Sequence, residues 1–288
     1  MIKYKVLWRW VLLFITTIHD IKALSALKEA GAKGILVGIE NLSIRGLNHL
    51  SIQDLYEWKK ACDKYELELY VNAMKLMMDS DLEQVRTLIQ TCLELKIDGI
   101  YCADEGVIYL GQELGYSSMI YQPETLITNH WDAQFYLDQG CKAVSLAHEL
   151  SIDEIRSISK ANGIEILVSG YFSILYSRRS LVTNYLDAIH KKLDGESDLY
   201  LIEQTRYDHM PIVEDETGTH IFSEHPITSI KQYQDLQAMG IKRFRIDSLF
   251  KDDAWTIDVL NAYKENRMIE GSDHWYYQNT ILKKEDPQ

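Results

Sequence analysis

Short apolar runs alternate with amphipathic stretches along this chain, and the alternation repeats about eight times. VLLFIT (11–16), GILVGI (34–39), LELYVNA (67–73), GIYCA (99–103), SMIYQ (118–122), AVSLA (143–147), EILVS (165–169) and RFRID (243–247) predict strands. Helical periodicity fills 20–31, 51–65, 79–96, 129–140, 151–163, 229–240 and 254–266. Several of these stretches open on Ser, Asp or Asn and stop at Gly, as helix caps require. A helix end, a glycine and an apolar strand recur in EAGAKGILVG, LKIDGIYCA, DQGCKAVSLA and AMGIKRFRID, the rhythm of βα units in a parallel sheet. Eight such units predict an α/β fold, a (β/α)8 TIM-like barrel. An open doubly wound sheet is the alternative, but no Gly-x-Gly-x-x-Gly follows the first strand.

Residues 190–222 break the rhythm. With turn signals at DGES and DETG they predict a small β excursion after the seventh strand, at the mouth where barrel active sites are built. The expected organisation is one barrel domain over 1–270, with 190–222 inserted, and a C-terminal tail over 271–288. HWYYQ (274–278) is either a docking patch or a packed final turn.

Composition narrows the classes. A 46% hydrophobic chain with four prolines can bury a core and is not disordered. A net charge of −13 makes it a poor unaided partner for nucleic acid, without excluding a local basic patch or a basic partner protein. Cys62, Cys92, Cys102 and Cys141 show no Cys-x-x-Cys spacing and read as buried reduced thiols, which fits a cytoplasmic protein. The basic start MIKYKVLWRW precedes an apolar run too short to cross a membrane and lacking a cleavage site, so it reads as the approach to a first buried strand.

There is no Gly-x-Ser-x-Gly elbow, His-Glu-x-x-His or Walker loop. What remains are polar residues at the ends of predicted strands, which a barrel would gather on one rim. They are Glu40, Asn41, Asn72, Lys75, Asp104, Glu105, Gln122, Glu124, Thr128, Asn129, His148, Glu149, Ser169 and Asp247. Each taken alone is as well explained as a helix N-cap or a solvated loop residue. Arg178 and Arg179 follow the seventh strand, with Asn184 and Tyr185 close behind. A guanidinium fork there suits a carboxylate or phosphate, and a salt bridge to one of the many acids is the plainer alternative.

At this point the chain becomes recognisable. EILVSGYFSILYSRRSLVTNY resembles the signature of the peptidase U32 family, and GILVGIENLSIRGLN, YQPETLITN, AVSLAHELSIDEI, PIVEDETGTHIFS and GIKRFRIDSLFKD resemble further family blocks. The resemblance runs through nearly the whole chain and implies the barrel. Two signature cysteines are Ser173 and Ser180 here, the signature histidine is Ser169, and the later cysteine pair is missing. Those cysteines resemble iron–sulfur ligands, so the expectation is no cluster and no metal in this chain. The pattern is similar to shorter paralogues that accompany a longer cysteine-bearing one. It implies a role in prephenate-dependent 5-hydroxylation of the tRNA wobble uridine, with prephenate as co-substrate and tRNA reached through the complex. The alternatives are a U32-type peptidase, with Ser173 or Ser177 as nucleophile, and a non-catalytic scaffold.

Overall fold

The computed structural model describes residues 12–192, 199–202, 208–273 and 275–278. Seven parallel strands follow one another in chain order: β1 (Leu13–Thr17), β2 (Gly34–Gly38), β3 (Glu68–Ala73), β4 (Gly99–Cys102), β5 (Met119–Tyr121), β6 (Ala143–Ser145) and β7 (Ile164–Gly170). The ring closes through a strand far along the chain, Arg243–Ile246, which lies parallel to both β7 and β1. Each apolar run predicted as a strand therefore forms a stave of a closed eight-stranded parallel barrel.

Helices α1 (Leu24–Ala30), α2 (Leu55–Lys64), α3 (Leu82–Leu95), α4 (Glu105–Leu114), α5 (His130–Asp138) and α6 (Ile152–Ile158) return the chain between staves. The periodicity did not predict α4. Its sequence EGVIYLGQEL carries two glycines and β-branched residues, so propensity is weak. Tertiary packing decides instead. A Cβ on Gly111 would stand 2.4 Å from Met119 Cε, so the glycine lets the helix lie close on β5.

After β7 the chain builds a second, antiparallel sheet from β8 (Ser173–Ser177), β9 (Leu199–Ile202), β10 (His209–Asp215) and β11 (Gly218–Phe222), in the order β8-β11-β10-β9. Helix α7 (Leu181–Ala188), also not predicted, lies between its first two strands. The excursion thus starts at Ser173, before the expected position 190. DETG makes the β10–β11 hairpin, and its Gly218 (φ 133°) is required twice, because a Cβ there would also sit 2.1 Å from Ser177 O. DGES lies outside the described residues. A short strand, β12 (Ile227–Thr228), pairs antiparallel with the end of β7, outside the ring. Then come α8 (Tyr233–Ala238), the closing strand β13 (Arg243–Ile246) and α9 (Asp253–Glu265). In the segment 275–278, Tyr276 packs as part of a final turn, with its hydroxyl 2.6 Å from Ser229 Oγ. No helix among the described residues is long and apolar enough to cross a membrane.

One apolar cluster lies between the staves and the helices, and a second fills the barrel axis with Ile15, Leu36, Tyr70, Tyr101 and Ile120. Within the axis, Glu165 of β7 takes hydrogen bonds from Tyr101 Oη (2.6 Å) and from Arg243 Nε and Nη2 (3.2 Å each). Arg243 Nη1 donates to Tyr70 Oη at 3.3 Å. Removing one partner of such a buried pair leaves the other charge without compensation, at about 3–5 kcal/mol. Glu165→Ala is therefore expected to lower unfolding stability by about that amount in urea titrations, whereas Glu165→Leu combined with Arg243→Met returns most of it. A single-variant loss under about 1 kcal/mol would mean that the pair does not hold the axis.

Candidate functional site

The mouth is built first by a loop. After β2 the chain runs through residues 39–50, and three side chains tie that loop to neighbouring strand ends. Ser43 Oγ accepts from Ile39 N and donates to Asn72 O. Asn72 Nδ2 donates to Ile44 O at 2.8 Å. Asn48 accepts from Gly38 N at 2.8 Å and donates to Ile18 O at 3.0 Å. So pinned, the loop turns Arg45 inward through a left-handed backbone (φ 54°), which disfavours residues other than glycine. Its guanidinium is buried and pairs with Glu124 on the loop after β5, itself left-handed at φ 66°. Two strained residues meeting in one ion pair mark a place where packing overrides local preference.

From Glu124 the contacts continue across the barrel. Gln122 Nε2 donates to Glu124 Oε1 at 2.8 Å, and His148 Nδ1 lies 3.7 Å from Glu124 Oε2. Arg245 Nη2, on β13, lies 3.5 Å from His148 Nε2. Burial works against ionisation of Glu124, but Arg45, then His148 and Arg245, hold its carboxyl below the usual range. His148 is pushed down to about 4, by burial first and then by Arg245 and Arg45 against the pull of Glu124. The imidazole is therefore neutral near pH 7.

The second sheet supplies the roof. Tyr176 of β8 packs on the axial cluster, and His220 of β11, its cross-strand neighbour, stacks on it with centroids 4.5 Å apart and planes 9° from parallel. Burial, then Arg45, pushes His220 down to about 4 as well. The donors left over define what this site can do. Nε and Nη1 of both Arg45 and Arg245 are buried with no hydrogen-bond partner, as is His220 Nδ1. Two guanidiniums face one carboxylate, and both histidines are neutral. Gln122 Oε1 and Glu124 Oε2 are likewise buried without a hydrogen-bond partner, so the mouth presents unbonded donors and acceptors together, the donors in excess.

Of the rim residues expected from sequence, the fold brings together Gln122, Glu124 and His148. Asp104 caps α4 by accepting from Gly106 N, and Asn129 caps α5 by accepting from Asp132 N. Glu105 points outward between the hydroxyls of Tyr121 (2.8 Å) and Tyr136 (2.9 Å). Thr128 and Glu149 are exposed. Asn72 holds the 39–50 loop, and Ser169 bonds Tyr263 Oη. Arg178, Arg179, Asn184 and Tyr185 are exposed on the inserted unit, with Arg178 resting against Met78 Sδ of the loop after β3. Arg45, Arg245 and His220 were not singled out from sequence. For Arg245 a signal existed: RFRID places charges at alternate positions of a buried strand.

The donor set does not suit an iron–sulfur cluster. Ser173 and Ser180 offer hydroxyls, with Ser173 buried and Ser180 exposed ahead of α7. All four cysteines are buried in the shell between staves and helices rather than at the mouth. Burial pushes the Cys62 thiol up to about 12 and Cys141 up to about 11, and raises Cys92 and Cys102 too. Protonated thiols and hydroxyls are poor iron ligands.

A profile of Peptidase family U32 matches residues 19–283. The chain is 28% identical over 246 residues to tRNA hydroxylation protein P2 of Bacillus subtilis (strain 168), spanning 82% of this chain and 79% of that protein. It is 22% identical over 264 residues to 23S rRNA 5-hydroxycytidine C2501 synthase of Escherichia coli (strain K12), spanning 86% of this chain and 39% of that protein. Among solved structures, the U32 peptidase Mk0906 overlays with a TM-score of 0.50 at 11% identity, over 82% of this chain and 92% of that one, a likeness of fold.

The two neutral histidines give the fold a pH response of known sign. In the unfolded chain each takes up a proton below about pH 6.5, whereas in the fold each does so only near 4. Their contribution is thus complete above about pH 6.5 and is lost as the pH falls toward 4, each adding a slope of up to about 1.4 kcal/mol per pH unit. Urea midpoints measured from pH 7.5 to 4.5 are expected to fall over this window and to fall less in His220→Phe, which keeps the stack on Tyr176. Equal slopes in the two proteins would rule out a neutral His220.

Proposed function

Because this chain belongs to peptidase family U32, we propose that it acts in 5-hydroxylation of the tRNA wobble uridine, as a subunit beside a longer cysteine-bearing family member, and that its mouth holds prephenate. The relatives named for tRNA hydroxylation and for an rRNA hydroxycytidine support the RNA side of this reading. One observation carries the small-molecule side: the buried, unpartnered donors of Arg45 and Arg245. Burying guanidinium N–H groups without acceptors costs several kcal/mol unless an occupant supplies them. Prephenate carries two carboxylates, and each guanidinium fork suits one. The neutral imidazoles of His148 and His220 add hydrogen-bonding groups without a competing charge. Arg45, His148 and Arg245 have almost no solvent contact, so entry requires the 39–50 loop or the inserted sheet to move.

The peptidase alternative has less support. Ser173 Oγ lies 3.5 Å from Leu175 O, and Ser177 Oγ accepts from Arg179 N at 3.2 Å. Ser248 Oγ does meet an imidazole, His19 Nε2 at 3.2 Å, but it is fully buried and shared with Thr17 Oγ1. A nucleophile needs a base, an orienting group and access.

Arg245→Met is the decisive variant, since Arg245 has no carboxylate partner among the described residues and methionine fills similar space. Prephenate at one hundred times its Kd is expected to stabilise the wild-type chain by about 2.7 kcal/mol and to leave Arg245→Met unshifted. Cells rescued with Arg245→Met are expected to lack 5-hydroxyuridine in their tRNA nucleosides, as measured by mass spectrometry. Normal nucleosides in cells without the chain would sink the reading.

A further inference from the structure

The outer face of α4 and α5 combines two features that the mouth does not use. Trp131 and Phe135, one turn apart on α5, are 77% and 57% exposed, and Tyr109 on α4 is 67% exposed. The two helices are joined by Tyr136 Oη on Glu105 at 2.9 Å and by Gln112 Nε2 on Gln139 O. Tyr109 sits on α4 one turn from each of those contacts, so all three rings lie on one pair of neighbouring helices. Helices α4 and α5 carry four acids, Glu105, Glu113, Asp132 and Asp138, and not one Lys or Arg, and of the four Glu113 meets Arg86 of α3 at 3.1 Å. Asp132 and Asp138 flank the rings, and their carboxylates meet the amides of Asn129 and Gln134 rather than a cation.

We infer that the α4–α5 face is a docking surface for a protein partner that presents lysines and arginines around an apolar recess. Aromatic rings are the usual anchors of such interfaces. Three of them, at ~150–250 Å² each, cover much of the roughly 800 Å² per partner that a stable interface buries. The charge selects the occupant. RNA brings phosphates against a run of carboxylates and is repelled. A second copy of this chain sets the same acids against themselves, and like charges across an interface cost several kcal/mol. A cationic protein surface pairs with the acids and can stack guanidinium groups on the rings. The identity of that partner as the longer family member rests on the functional reading above. The surface and the chemistry it selects do not.

The test uses the purified full-length chain and the purified longer cysteine-bearing family member from the same organism, with association followed by interferometry at several salt concentrations. Trp131→Ser with Phe135→Ser is expected to weaken binding about 30-fold or more. Asp132→Lys with Asp138→Lys is expected to slow association about tenfold and to flatten its salt dependence. Unchanged urea midpoints for both variants exclude unfolding as the cause. Absent association, association insensitive to both variants, or self-association of the wild-type chain that either variant abolishes would overturn the inference. The readouts separate the two readings. If docking is lost in the variants while tRNA nucleosides are normal in cells without the chain, the functional reading falls and the surface stands. If nucleosides depend on the chain but docking ignores this face, the reverse holds.

Discussion

Closure of the ring is the constraint on which the rest depends. Once eight strands close, alternate residues of every stave must face the axis, where there is no solvent. On β13 those positions fall to Arg243 and Arg245. The first finds Glu165, Tyr70 and Tyr101 toward the N-terminal end of the barrel, so that all three of its guanidinium nitrogens are bonded, although Glu165 Oε1 has no partner. The second, two residues nearer the mouth, has His148 Nε2 at 3.5 Å as its side-chain hydrogen-bond neighbour among the described residues and acts on Glu124 through charge alone. The same strand thus carries one fully bonded arginine and one whose Nε and Nη1 are buried without a hydrogen-bond partner. That difference follows from which neighbour supplies a carboxylate, since β7 offers Glu165 beside Arg243 but Leu167 beside Arg245.

The mouth is assembled by interactions that are individually modest and mutually dependent. Arg45 reaches the axis because Ser43, Asn48 and Asn72 fix the loop that bears it. Glu124 reaches Arg45 from a left-handed position that its own sequence does not favour. Two such residues cost of order 1–3 kcal/mol each, and the fold tolerates them where they complete the pair. The insertion adds Tyr176 and His220, and its depth of contact with the axial cluster explains why so polar a mouth is nevertheless buried.

The staves were legible because a buried parallel strand is an unbroken apolar run, and four of the runs here come with a helix end and a glycine before them. Helix α4 was not, because its Gly111 serves close packing against Met119 and Tyr116 rather than local preference. The start of the inserted sheet was hidden for a related reason: SILYS continues the apolar character of β7, and only the change of sheet separates them. At the site, strand-end polar residues identified Gln122, Glu124 and His148, since position at a strand terminus is a property of sequence. Which of their companions turn inward is a property of loop geometry, and so Asp104 and Asn129 proved to be helix caps. Arg45 lay within a stretch already notable for its resemblance, but no periodicity reaches into a loop.

Charge in this molecule is sorted by depth. The chain as a whole is acidic at −13, yet its buried charges balance: Arg45, Arg243 and Arg245 stand against Glu124, Glu165 and Asp247. In water the surface acids are screened over about 10 Å at ordinary ionic strength, so they act only weakly on Arg45 and Arg245 behind a wall of staves. An anion must therefore be recognised by geometry and desolvation inside the mouth rather than by attraction from afar. Rapid capture of a polyanion by this chain alone is disfavoured by the same distribution, because the field outside has the wrong sign. Under the proposed function, a small anion reaching Arg45 and Arg245 meets their unbonded N–H groups at close range. Under the same proposal, an exterior of this sign leaves the grip on nucleic acid to a basic partner, while the local excess of guanidinium donors in the mouth is what a small acid would use.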